Sequence, residues 1–226
     1  MNSKQFVISD VLGFGWNVMK TYLWFFVGVM IVFQLFIQVP EIVKYVTQQM
    51  HLGTGLYLLA TLVGVVISIV LTIGIMKISL AFCDSRKPAF SELFDPAGCF
   101  WRYLGTYILY VFIIGAGFVL LIIPGIIWAV KFSLCFYFVI DKGLGPVDAL
   151  KASSRTTMGV KWDLFGFGIL CGLINIAGIL CLIVGIFAAY PTTLVASSLV
   201  YRQLIAQTPE LAEFGINTPK TEPIEA

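Results

Sequence analysis

The sequence predicts an all-α protein, a polytopic membrane helix bundle. Six transmembrane helices form three hairpins, each preceded by an amphipathic helix in the cytoplasmic interface. Three observations carry this prediction. Of the 226 residues, 59% are hydrophobic and only 12% are charged, against about 25% charged in ordinary soluble domains. Mean hydropathy is +0.97. Charge-free apolar runs recur along the whole chain, and crossing a hydrocarbon core about 30 Å thick takes about 20 such residues.

The elements follow in order. A first apolar helix is expected from Tyr22 to Val39, stopped by Pro40, and a second from Leu56 to Phe82. A third runs from Tyr103 to Ile123. Pro124 and Gly125 then make a turn, because proline lacks an N–H and glycine tolerates unusual dihedrals. The fourth helix reaches Ile140, the fifth covers Leu164 to Phe187, and the sixth covers Pro191 to Ala206. Residues 1–206 thus form one transmembrane domain. Residues 207–226, rich in proline and glutamate, form a flexible cytoplasmic tail.

Charge placement sets the orientation. Lys4, Lys20, Arg86, Lys87, Arg102, Lys142, Lys151, Arg155, Lys161, Arg202 and Lys220 fall on one side of the six-helix arrangement, while Lys44 falls on the other. The positive-inside rule then places both termini in the cytoplasm. No compact apolar core with a small-residue cleavage site marks the N-terminus, so no cleaved leader is expected.

A weak internal repeat supports the hairpins. Each is preceded by Gly-x-x-Trp: Gly13 to Trp16, Gly98 to Trp101, and Gly159 to Trp162. Tryptophan suits the headgroup level, and the glycine lets the chain turn from lying flat to descending. Two hairpins close with Lys-x-Ser-Leu, at Lys77 and Lys131, and the third has Ala196-Ser-Ser-Leu in that place. All three units point the same way, unlike inverted transporter repeats. Before the first hairpin, Val7, Val11, Phe14 and Val18 share a helical face suited to the lipid interface. Before the third, Pro146 starts a helix and Gly159 ends it, with Asp148, Lys151 and Arg155 on its polar face.

The stretch Ile123 to Phe167 carries Pro124-Gly125, Lys131, Ser133, Ala149-Leu150, Ser153 and Gly159 to Trp162. In these features it resembles a bacterial inner-membrane family: the membrane domain found with glycerophosphoryl diester phosphodiesterases, and related uncharacterised six-helix membrane proteins. The resemblance implies a six-helix domain in the bacterial inner membrane with no assigned chemistry of its own. In two-part members a soluble phosphodiesterase domain follows. Here the one histidine is His51, on the far side, and no His-Arg pair exists to start that chemistry, so hydrolase activity is not expected.

The candidate site is an intramembrane polar or lipid-headgroup site formed by Lys131, Lys77, Ser133 and Asn175. A charge at mid-bilayer costs about 2.5–3.5 kcal/mol on insertion scales, so Lys131 is expected to face the bundle or to snorkel towards water. Asn175 reads as a hydrogen bond between helices. Two stripes of small residues, Ala60, Gly64, Ser68, Thr72 and Gly168, Gly172, Ala177, Cys181, Gly185, are expected to pack within the bundle.

No Ser-His-Asp or Cys-His set appears, and no Cys-x-x-Cys pair among the five cysteines. No catalytic group, metal or cofactor is therefore expected. No basic stripe suggests nucleic acid, and carboxylates are confined to loops and tails, which weighs against cation or proton transport. The expected function is a non-catalytic inner-membrane protein, an accessory, scaffold or assembly component of a membrane complex. Its expected partners are membrane lipids and a membrane protein or a second copy of itself. The alternative is a carrier or channel for an anionic or lipid-derived solute.

Overall fold

A chain this apolar must satisfy its backbone internally wherever water is absent, and in the computed structural model every regular element among the described residues is helical. The structure describes residues 4–49, 54–96, 98–181 and 185–216. Among them α1 spans Ile8–Thr21, α2 Leu23–Gln49, α3 Thr54–Cys83, α4 Phe100–Leu120, α5 Ile122–Lys131, α6 Cys135–Lys142, α7 Pro146–Thr156, α8 Lys161–Leu180 and α9 Ile186–Ala206. Short 3₁₀ turns lie at Phe90–Phe94 and Pro209–Phe214.

Among the described residues, five segments are long and apolar enough to cross a membrane: Leu23–Thr47, Gly55–Cys83, Phe100–Leu120, Ile122–Lys142 and Lys161–Leu180. This is consistent with a multi-pass membrane protein. The sixth expected segment, α9, is a 21-residue helix but is not among these five. Its Thr, Ser, Tyr and Arg residues make it more polar, and it is the element the others enclose. Thr192, Thr193, Ser198 and Tyr201 are buried along with its apolar side chains. Neighbours in sequence pack as pairs, α2 on α3, α4 on α5 and α8 on α9, while α1 and α3 also pack on α9.

Several boundaries differ from expectation. The helix does not stop at Pro40, because α2 continues to Gln49. The turn between α4 and α5 falls at Leu121, which is extended (φ −167°, ψ 151°), so Pro124 and Gly125 sit in the first turn of α5. There proline's missing N–H costs no helical bond. Gly125 is instead needed for packing, since a side chain on it would strike the Phe118 ring. The fourth helix is broken at Phe132–Leu134 into α5 and α6.

The three preceding segments also differ from one another. α1 does not lie as a lone surface helix. Val11, Gly15 and Met19 are buried, and Gly15 meets the Thr192 carbonyl so closely that no Cβ would fit. Gln5 and Gln207 exchange two hydrogen bonds at 2.8 and 2.9 Å, so α1 runs antiparallel along α9. The second hairpin is preceded by the 3₁₀ turn Phe90–Phe94 rather than an amphipathic α-helix. α7 does begin at Pro146, buries Ala149, Leu150, Ala152, Ser153 and Thr156, and leaves Asp148, Lys151 and Arg155 exposed.

The tail is docked in part. Leu211 and Ile216 are buried, and Glu213 pairs with Arg155 at 3.1 Å. Residues 217–226 lie outside the described residues, as does His51.

Candidate functional site

The ends of three helices meet at one ionic node. Asp84 follows α3, Asp141 lies in the last turn of α6, and Arg202 lies in the last turns of α9. The Arg202 guanidinium donates to Asp84 Oδ2 at 2.7 Å and to Asp141 Oδ2 at 2.8 Å. The Tyr201 hydroxyl donates to the same Asp141 oxygen at 3.1 Å, and the Lys142 ammonium sits 3.1 Å from it. Asp141 is the more enclosed carboxylate, 13% exposed against 49% for Asp84. Two acids held by one planar, permanently charged fork form a rigid junction. The Arg202 Nε–H has no acceptor among the described residues.

Beside the node a cavity of about 420 Å³ opens between α3, α6, α9 and the strap 86–96. Its inner end holds Lys77, whose ammonium donates to the Asp95 carbonyl at 2.8 Å, with the Asp95 carboxylate at 3.7 Å. Leu80, Ala81 and Ile140 give it an apolar floor. The strap is clasped by Arg86, which donates twice to Glu92 at 2.8 and 2.9 Å. That bidentate bond holds the Glu92 carboxyl below the usual carboxylate range. The Phe25 ring packs on Phe90 at a tilt, and Leu93 backs onto Gly74 so closely that only glycine fits there.

The structure does not gather the four sequence-predicted residues. Lys77 lines the cavity. Lys131 lies at the α5–α6 break, its ammonium 5.3 Å from the Phe132 ring centroid. Its carbonyl accepts from the Ser153 hydroxyl at 3.0 Å and from Thr157 at 3.1 Å, while Ser153 also accepts from the Leu134 N–H at 3.3 Å. A hydroxyl on α7 and one just after it therefore satisfy the backbone groups that the break releases. Ser133 is exposed and donates to the Val130 carbonyl. Asn175 joins α8 to α9 by donating to Thr193 Oγ1 at 3.1 Å and to the Cys171 carbonyl.

The repeat motifs are partly structural. Gly98 and Gly159 adopt positive φ (70° and 93°) and turn the chain as expected, but Gly13 sits inside α1 with no such demand. Trp16, Trp101 and Trp162 are all exposed, and the Lys20 ammonium lies 5.8 Å from the Trp16 ring centroid. Two repeat-equivalent serines, Ser79 and Ser198, share a buried hydrogen bond of 2.6 Å. The small-residue stripes divide. Gly178 and Gly185 are in close mutual contact, whereas nothing lies near Gly168 or Gly172.

Sequence reading misses Asp84, Asp141, Tyr201 and Arg202: the carboxylates read as loop charge, and Arg202 only as a marker of orientation. A signal was present: both acids and the arginine lie three to seven residues after the repeated Ser-Leu. No known family, curated protein or solved structure matches the chain.

Proposed function

We propose that this chain is a non-catalytic, six-pass protein of the bacterial inner membrane, acting as an accessory or scaffold subunit of a membrane complex. In this reading α9 is the sixth crossing, the hairpins are α2–α3, α4–α5/α6 and α8–α9, and both termini are cytoplasmic. The resemblance to phosphodiesterase-associated membrane domains belongs to the same proposal.

The node of Asp84, Asp141 and Arg202 carries it. Residues as far apart in sequence as Asp84 and Arg202 are fixed at one end of the molecule. Lys4 extends that end by donating to the carbonyls of Arg155 and Thr156 at 2.9 and 3.2 Å. A firm polar face on an apolar body offers a preformed docking surface without ordering cost. The carrier alternative has less support, because Lys131 and Lys77 lie apart and the cavity at Lys77 presents carboxylates as well as cations.

Affinity purification from membranes in mild detergent tests the proposal. A stoichiometric membrane-protein companion is expected, and it is lost when Arg155 and Lys151 on the polar face are changed to glutamate. A chain that purifies alone from cross-linked membranes sinks the reading.

A further inference from the structure

We propose that the cavity beside the ionic node binds a small net-neutral zwitterion: a primary ammonium joined by a short stem to a phosphate or carboxylate. The proposal is independent of the scaffold reading.

Size and charge argue first. About 420 Å³ falls within the range of small-ligand sites, about 300–1,000 Å³. The lining carries three cations and four carboxylates, and Lys142, drawn onto Asp141 from outside, brings the balance to zero. A net-charged solute meets like charges there as closely as opposite ones and gains little. A molecule carrying both signs gains at both ends.

Placement gives the polarity. Lys77, at the inner end, is only 17% exposed; its ammonium donates to the Asp95 carbonyl at 2.8 Å and lies 3.7 Å from the Asp95 carboxylate. An ammonium has three donors, so it can also hold an acidic oxygen. Asp84 is half-exposed at the outer end, bound through one oxygen to Arg202. Asp84 lies seven positions after Lys77, about 10 Å along a helix. The apolar floor of Leu80, Ala81 and Ile140 between them suits a methylene stem. The charged groups are already held by partners within the chain, so the site is preformed. The same chemistry occurs in a free amino acid and in an ethanolamine phospholipid headgroup.

Calorimetry on the full-length protein in detergent tests this with named probes. Glycine and γ-aminobutyrate serve as soluble zwitterions, ethylamine and acetate as their halves. Mixed micelles compare phosphatidylethanolamine with phosphatidylglycerol. A zwitterion in one of these forms is expected to bind at least about tenfold more tightly than its half-molecules or the anionic lipid. Asp84→Asn and Lys77→Met each lower that affinity about tenfold, while Phe112→Ala, on the outer face of α4, leaves it unchanged. Binding of the soluble probes identifies a free solute, and binding only in ethanolamine-lipid micelles identifies a headgroup. Should Lys77→Met fail to fold, Asp84→Asn and the half-molecule comparison decide alone. Equal binding of halves and zwitterion together with equal binding of the two lipids, or no binding in any arm, overturns the proposal.

Discussion

α8 and α9 are packed partners of 20 and 21 residues, yet their surroundings are opposite. α8 is apolar and buries only Leu164, Phe167 and Gly178, exposing Ile169, Leu173, Ile176, Ile179 and Leu180. α9 carries the hydroxyls and an arginine, and it is enclosed. A water-soluble fold would arrange them the other way round, because burial of apolar surface drives its packing. In an apolar solvent that drive vanishes between helices, and close packing and polar contacts take over. The hydroxyls of α9 are cheap to bury because they bond back one turn: Thr192 to Ala188, Ser197 to Thr193 and Ser198 to Leu194.

Adding a side chain at a glycine on each kind of surface gives the sharpest contrast. Gly15→Val drives a side chain into the α9 backbone at Thr192. It is expected to cost about 3 kcal/mol or more and to lower thermal stability in micelles severely. Gly172→Ala, with nothing within 4 Å, is expected to be neutral or to stabilise by about 0.5–1 kcal/mol. Equal effects would mean that α1 does not pack on α9 in solution.

Arg202→Met comes next. A fully buried pair loses about 3–5 kcal/mol when one partner goes. Asp84 is half-exposed, so about 2–3 kcal/mol is expected here, with Asp84→Asn costing under about 1 kcal/mol. Chemical denaturation of the three proteins side by side checks the order, and the reverse order would remove the node as the organising contact.

Ser153→Ala strips the Lys131 carbonyl of one donor and the Leu134 N–H of its acceptor. The expected loss is about 1–3 kcal/mol, with amide exchange rising at Leu134. Ser133→Ala, at an exposed hydroxyl, is expected to change nothing measurable.

The smallest effect concerns pH. The Arg86 bond depresses the folded-state pKa of Glu92, so the clasp's stabilisation is full above the unfolded carboxylate value of about 4.3. It is lost as pH falls through the lower folded value. Wild type and Glu92→Gln are thus expected to differ slightly in melting temperature at neutral pH and to converge in strong acid. A difference that persists there would assign it to packing.

Particular residues show how far the chain could be read in advance. Pro146 opens α7, Gly159 turns the chain into α8, and Asn175 bridges to α9, each by chemistry local to the residue or its helix. Pro40 and Pro124 misled because helix breaking depends on what surrounds a proline. Gly168 and Gly172 misled because a small-residue stripe does not say whether it has a partner. The break at Phe132–Leu134 could not be seen, because Ser153 and Thr157, far along the chain, make it tolerable.

By itself, the sequence determined that the chain is helical and that several of its segments are long and apolar enough for lipid. Composition and run length act within one segment and need no partner. Only the tertiary structure decided that α9 is enclosed, that α1 lies against it, and that Asp84, Asp141 and Arg202 meet. Charge pairing and close packing depend on distances between segments far apart in the chain, which no local pattern encodes.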